Sequence, residues 1–147
     1  MKLNLGSFPL FLCLACGEPP EAPPASDATD AEAESCLRTK IWEANRDGWS
    51  VRNSGTAQLA GQDHKSYAVN LYTSREYQLL ACGAGWAKTI GLHLYDKAGK
   101  QVMSETKQGR QPAFHYSPDI AGQFFVVVRN ENTHPKTGSI SWTVLYR

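Results

Sequence analysis

From residue 66 onward, apolar and polar residues alternate at every second position, in runs too short for helices. Successive side chains of a strand point to opposite faces, so period two marks a half-buried strand. In "SYAVNLY" Tyr67, Val69 and Leu71 share one face, and in "EYQLLAC" Tyr77, Leu79 and Ala81 do the same. "TIGLHLYD" alternates Ile90, Leu92 and Leu94, and "DKAGK" turns it into "QVMSET". "PAFHYS" contributes Phe114 and Tyr116, "QFFVVVRN" Phe124, Val126 and Val128, and "SISWTVLY" Ile140, Trp142, Val144 and Tyr146. About seven short strands bounded by Gly, Pro, Asn and Asp fit an antiparallel β-sandwich. "TSRE" reads as a hairpin turn between the first two strands. "FFVVV" is apolar on both faces and should be central in its sheet. Strand order is open in a single sequence, and the last strand is one candidate for its neighbour.

The 147 residues leave room for about one domain. Its start is marked by a change in composition at Ser35. "SCLRTKIWEANRDGW" spaces Leu37, Ile41 and Ala44 near the helical period, with Ser35 as N-cap and Gly48 as the stop. A short helix is expected at 36–46, with Trp42 and Trp49 packing it onto the strands after it. The reading is a mainly β domain over 35–147 with one short N-terminal helix.

The segment before it reads as an export signal and a spacer. Residues 1–15 carry one charge, Lys2, followed by a stretch from Leu3 to Ala15 that is apolar apart from Asn4 and Ser7. That is too short to span a bilayer comfortably and fits a secretory signal peptide. Cys13 and Cys16 spell C-x-x-C, but a redox pair should open a helix in a packed βαβ unit, and here Pro19 and Pro20 come at once. A zinc site would need a second pair of ligands nearby. The run Cys13-Leu14-Ala15-Cys16 instead resembles the bacterial lipobox. The resemblance implies cleavage before Cys16, acylation of Cys16, and a membrane partner held through that lipid. Gly17, where Asp would favour the inner membrane, implies the outer membrane. The rival is ordinary cleavage after Ala15, which releases a soluble protein. Cysteine arithmetic bears on the choice. Of 4 cysteines, cleavage removes Cys13 and acylation uses Cys16, which leaves Cys36 and Cys82 as a natural disulfide pair in an oxidising space. Two unpaired buried thiols are the alternative. Residues 17–34, "GEPPEAPPASDATDAEAE", hold no large apolar side chain and read as a disordered tether. Extended at about 3.1 Å per residue, such a tether reaches roughly 55 Å.

"LHLYDKAGKQV" together with "PAFHYSPDIAGQFFVVVRN" resembles the bacterial pre-peptidase C-terminal domain, a small β-sandwich of secreted proteins. Leu92, Leu94, Tyr95, Asp96 and Gly99 match its L-x-L-Y-D-x-x-G block. Phe114, Pro118, Gly122, Phe124, Val126 and Val128 match its second block. The likeness covers roughly residues 60–147 and implies a sandwich. Some relatives bind calcium through acids just before the L-x-L-Y-D strand. Thr89 and Gly91 stand there, so no calcium is implied.

Lys+Arg is 15 and Asp+Glu is 14, for a net charge of +1, which makes no electrostatic case for nucleic acid. No G-x-S-x-G, H-E-x-x-H or P-loop occurs, so no catalytic residue and no cofactor is assigned. His93 and His115 alternate opposite apolar residues and could share an exposed face, but two histidines without an acid make no metal site. Asp63, His64 and Ser66 resemble triad parts by composition alone. The strongest binding candidate is Trp86 in the glycine-flanked loop "CGAGWAK", read either as a contact residue for a glycan or protein ligand or as a plug over one end of the sandwich. Tyr95 and the loop "NENTHPKTG" are further candidates. The functional expectation is an exported envelope lipoprotein with a non-catalytic binding sandwich. A soluble secreted carbohydrate- or peptide-binding module and a small hydrolase or metal-binding envelope protein stay open.

Overall fold

A computed structural model of the chain describes residues 25–147. The helix α1 covers Ala25–Arg46, and eight strands come after it: β1 Ser50–Leu59, β2 His64–Leu71, β3 Tyr77–Gly85, β4 Ile90–Tyr95, β5 Gln101–Glu105, β6 Ala113–Tyr116, β7 Gly122–Asn130 and β8 Gly138–Tyr146. They form two four-stranded antiparallel sheets, in the orders β1-β8-β3-β6 and β2-β7-β4-β5. The apolar positions of the alternation face each other between the sheets. Leu79, Ala81, Ile90, Leu92, Leu94, Val126, Val128, Ile140 and Val144 are all fully buried there. Each large aliphatic side chain buried in this way contributes about 1.5–3 kcal/mol. The expected β-sandwich is present. β7 is central, between β2 and β4, as its two apolar faces require. The β4–β5 hairpin turns at Asp96, whose Oδ1 accepts from Ala98 N and Lys100 N, with Gly99 at φ +82.

Two expectations about topology need correction, and one strand was not expected. "TSRE" does not close a hairpin, because β2 and β3 lie in opposite sheets. The chain crosses between layers there, where the buried Tyr77 hydroxyl accepts from Tyr72 N. β8 does not lie beside β7 but between β1 and β3. The first strand, β1, carries no clear alternation. Its Gly55 lies opposite Trp142, and a Cβ there would sit 2.9 Å from the indole nitrogen.

The helix differs as well. It begins at Ala25, not 36, so residues 25–34 of the expected tether are its first turns and Ser35 is interior. Alanine and glutamate favour a helix intrinsically. The early turns dock through polar pairs: Thr29 with Ser139 (2.8 Å), Asp30 with Gln58 (2.9 Å) and Glu34 with Thr56 (3.2 Å). The later turns dock through Leu37, Ile41 and Ala44, which form a second apolar cluster with Trp49, Leu80 and Leu145. The helix ends as expected at Gly48. Trp49 N donates to Ala44 O and Gly48 N to Asn45 O, with Gly48 at φ +88, the Schellman arrangement. Trp49 packs inward, but Trp42 is 62 % exposed, with the Arg46 guanidinium 5.2 Å from its ring centroid. Cys36 and Cys82 are bridged, with Cα atoms 6.0 Å apart, so α1 is pinned to β3. Unpaired thiols at these two positions are thereby excluded. Residues 1–15 and Cys16, with the signal and lipid expected there, lie outside the described residues.

Candidate functional site

The helix covers the outer face of the β1-β8-β3-β6 sheet, where Ser139, Ser141 and Thr143 are buried beneath it. No such layer lies on the outer face of the other sheet among the described residues. Its outward positions form rows across the strands: His64, Arg129 and Gly91, then Ser66, Val127 and His93, then Ala68, Phe125 and Tyr95. His64, Ser66, His93, Tyr95, Arg129 and Glu131 line a groove of about 390 Å³ on this face.

The polar residues of the groove are held from behind. Glu131 Oε2 lies 3.3 Å from Arg129 Nε, and Oε1 lies 3.8 Å from His93 Nε2. Arg129 Nη2 donates to Gln62 Oε1 at 2.9 Å, and Gln62 Nε2 donates to the carbonyls of Glu131 and Asn132. Gln62 adopts φ +71, which L side chains rarely do. A side chain at Gly91 would collide with Glu131 Oε1 and His93 Nε2. Gly91 therefore leaves the space that lets this pair approach. Two buried nitrogens, His93 Nδ1 and Arg129 Nε, have no hydrogen-bond partner among the described residues; the Arg129–Glu131 contact is an ion pair without hydrogen-bond alignment. Such groups cost free energy unless something satisfies them.

A second cluster lies at one end of the sandwich. Trp86 comes directly after β3, and its indole stacks on the His134 ring, centroids 4.2 Å apart at 22°. Lys88 Nζ and Lys136 Nζ lie 4.8 and 5.1 Å from the indole centroid. The loop that brings His134 and Lys136 there is built by a repeated local bond. Asn132 N donates to Asn130 Oδ1, His134 N to Asn132 Oδ1, and Lys136 N to His134 Nδ1. Each side chain thus caps the amide two residues on. Asn130, fully buried, donates to Leu59 O, and Asn132 donates to Trp86 O. Gly61 packs so closely on this loop that a Cβ would strike the Asn132 and His134 carbonyls.

The expected candidates are thus distributed. Tyr95 lies in the groove and donates to Gln101 Oε1. Trp86 is half-buried by His134 and the two lysines, outside the sandwich core. His93 and His115 do not share a face: they stand on β4 and β6 of different sheets, and His115 packs on Trp49 at 5.5 Å. Ser66 and His93 flank Val127 from either side, two strand spacings or about 10 Å apart at the backbone. Asp63 takes part through its backbone carbonyl, which accepts from Asn130 N. Arg129, Glu131 and Gln62 do not stand out in the sequence. Arg129 occupies an outward position of a legible strand, but its partner Gln62 is 67 residues away.

No family model matches the chain, and no curated protein matches it. Among solved structures, a periplasmic lysozyme inhibitor of g-type lysozyme from Aeromonas hydrophila, PliG, superposes with a TM-score of 0.49 at 9% identity, covering 65% of this chain and 85% of that one. The structure of PirA gives 0.40 at 15% identity, covering 67% and 96%. A de novo designed double-stranded β-helix gives 0.37 at 7%, covering 65% and 100%.

Proposed function

We propose that this protein is an exported lipoprotein, acylated at Cys16 and held at the outer membrane, that binds a glycan without chemical turnover in the groove of its uncovered sheet. The Cys36–Cys82 bridge supports export, because such bonds persist in oxidising compartments. The lipobox-like segment and the strand motifs resembling pre-peptidase C-terminal domains support the envelope reading. One observation carries the site. A left-handed Gln62 and a side-chain-free Gly91 both serve to hold His93, Arg129 and Glu131 in fixed positions on an open face. A non-glycine residue at positive φ costs on the order of 1 kcal/mol and persists where surrounding structure demands it.

The chemistry of the groove suits a neutral polyhydroxyl ligand. Arg129 and Glu131 offset each other, so the groove presents little net charge. His64, Ser66, His93 and Arg129 offer donors and acceptors to sugar hydroxyls, and Tyr95 and Val127 supply apolar contact.

A glycan array probed with the wild type, Tyr95→Ala and Arg129→Ala tests this. The wild type should retain at least one glycan, and each variant should weaken that binding by about tenfold or more, the equivalent of 1.4 kcal/mol. Both variants should melt within a few degrees of the wild type. The proposal is wrong if the wild type retains nothing, or if both variants bind as well as it does.

A further inference from the structure

The first described turns of α1 reach the same end of the sandwich as Trp86. Thr29 bonds to Ser139, the second residue of β8, and its Cγ2 would lie 3.1 Å from a Cβ on Gly85, the residue just before Trp86. From there α1 runs away along the sheet, past the Cys36–Cys82 bridge, to Trp49 at the far end. Residues 17–24 separate Cys16 from the start of the helix. Eight residues span at most roughly 28 Å. A lipid on Cys16 would therefore hold the Trp86 end within that distance of the bilayer.

We infer that this end docks on the bilayer surface, with Trp86, Lys88 and Lys136 against the headgroups of anionic phospholipids. The inference rests on the acylation of Cys16 proposed above. Three observations support it. Lys88 and Lys136 converge on one indole, and neither is in an ion pair among the described residues. Four loops meet at this end, and of their acids Glu131 is held by Arg129, which leaves Asp63 against Lys88, Lys136, Lys107 and Arg110. The first turns of α1 add Asp27, Asp30 and Glu32, of which Asp30 accepts from Gln58. The staircase of bonds from Asn130 to Lys136 fixes the loop, so little ordering entropy remains to oppose contact.

Tryptophan settles at headgroup depth because its ring is apolar and its N–H polar. Each lysine near an anionic surface contributes about 1 kcal/mol. Two lysines and one indole would hold a free protein only weakly. A tethered one docks intramolecularly, at an effective concentration on the order of millimolar, and the same contacts then suffice. The acids Glu18 and Glu21 of the preceding segment mean that attraction comes from the two lysines and not from net charge. Docked so, the strands stand end-on to the bilayer and the groove opens to the side.

The test uses the full chain produced in a Gram-negative host. Intact mass first reports whether Cys16 carries acyl chains. The acylated protein is then placed on vesicles of phosphatidylcholine alone, or with about 30 % phosphatidylglycerol, and its lysines are acetylated briefly. Lys88 and Lys136 should react about threefold more slowly on the anionic vesicles, and about 0.5 M salt should abolish the difference. Lys97 and Lys100, in the β4–β5 turn at the other end, should react equally on both. Equal reactivity of Lys88 and Lys136 on the two vesicles, with acylation confirmed, overturns docking and leaves the lipid reading intact. A free Cys16 thiol, with protein that sediments with neither vesicle, overturns the lipid reading and the docking with it.

Discussion

Replacing Cys36 by serine tests how much of this fold depends on one covalent link. The bridge joins residues 46 apart and encloses the last turns of α1, β1, β2 and the first half of β3. In the chain-entropy model, removing a crosslink over a loop of that length releases about 4 kcal/mol of denatured-state entropy. Cys36 is the better position to change because it is half-buried, whereas Cys82 is fully buried and a hydroxyl there would add its own desolvation cost. The thiol left at Cys82 is tolerated as a small apolar group. Native contacts of the helix survive the change, since Leu37, Ile41 and Ala44 still meet Trp49, Leu80 and Leu145. The loss should therefore appear as lower stability with the fold retained. For a domain of about 120 residues, 4 kcal/mol corresponds to a fall of roughly 16 °C in melting temperature. Urea unfolding of the wild type and of Cys36→Ser, each with and without dithiothreitol, reads the effect. Dithiothreitol should bring the wild type down to the variant and leave the variant where it is. A fall smaller than about 1 kcal/mol would show that the bridge closes a loop already closed by the denatured chain, and the entropic account would fail.

Two further perturbations concern single residues. Gly61→Ala sets a methyl group against the backbone carbonyls of Asn132 and His134, which cannot swing aside, so it should cost about 1–3 kcal/mol and loosen His134 from Trp86, measured by melting and by indole fluorescence; unchanged values on both would show that the two loops are not tightly packed. The Tyr116 hydroxyl is pushed above its ordinary value of 10.0, first by burial and then by the charges of Asp119 and Asp96. The folded state therefore keeps this proton to higher pH than the unfolded chain. Its share of stability is complete below about pH 10 and is lost as the pH rises through the folded value. Urea midpoints between about pH 9 and 11 should differ in slope between the wild type and Tyr116→Phe, and equal slopes would refute the assignment.

Seven of the eight strands, all but β1, were legible because their signal is local. A sandwich strand has one face in the core, and its alternation survives in the sequence whatever it pairs with. Pairing itself is not local, which is why β2 and β3 read as a hairpin although they lie in opposite sheets. β8 shows a second limit. Ser139, Ser141 and Thr143 alternate with its apolar residues as solvent-facing positions do, yet all three are buried under α1. The helix that covers them was hidden for the matching reason. Its first turns carry Ala, Thr, Asp and Glu, and they dock through hydroxyl and carboxylate pairs with residues 22 to 110 positions away. Composition without large apolar residues predicts a solvated tether only where no polar surface awaits it. The disulfide could be read by counting, because the expected export and acylation would leave two cysteines. Of the candidate site, Tyr95 and Trp86 stood out by type and position. The spacing of Asn130, Asn132 and His134 could have revealed the loop. The approach of Gln62 to Arg129 could not.

The polar docking of α1 bears on what the helix is for. If it served stability alone, apolar pairs at the same positions would do more, since an intramolecular hydrogen bond adds only about 0.5–1.5 kcal/mol net. Polar pairs differ in being directional. The Thr29–Ser139 bond of 2.8 Å and the Gln58–Asp30 bond of 2.9 Å tolerate little sliding, so they fix the register of the helix on its sheet. The Cys36–Cys82 bridge fixes it a second time a few turns on. A helix so registered delivers the N-terminal segment to one end of the sandwich and covers one sheet. Among the described residues the other sheet keeps its outer face free, and the residues held there by Gln62 and Gly91 lie on the side away from the helix. Under the function proposed above, the same device would place the anchor and decide which face meets the ligand. A helix free to slide would blur the first of these assignments, and a helix on the other sheet would bury the second.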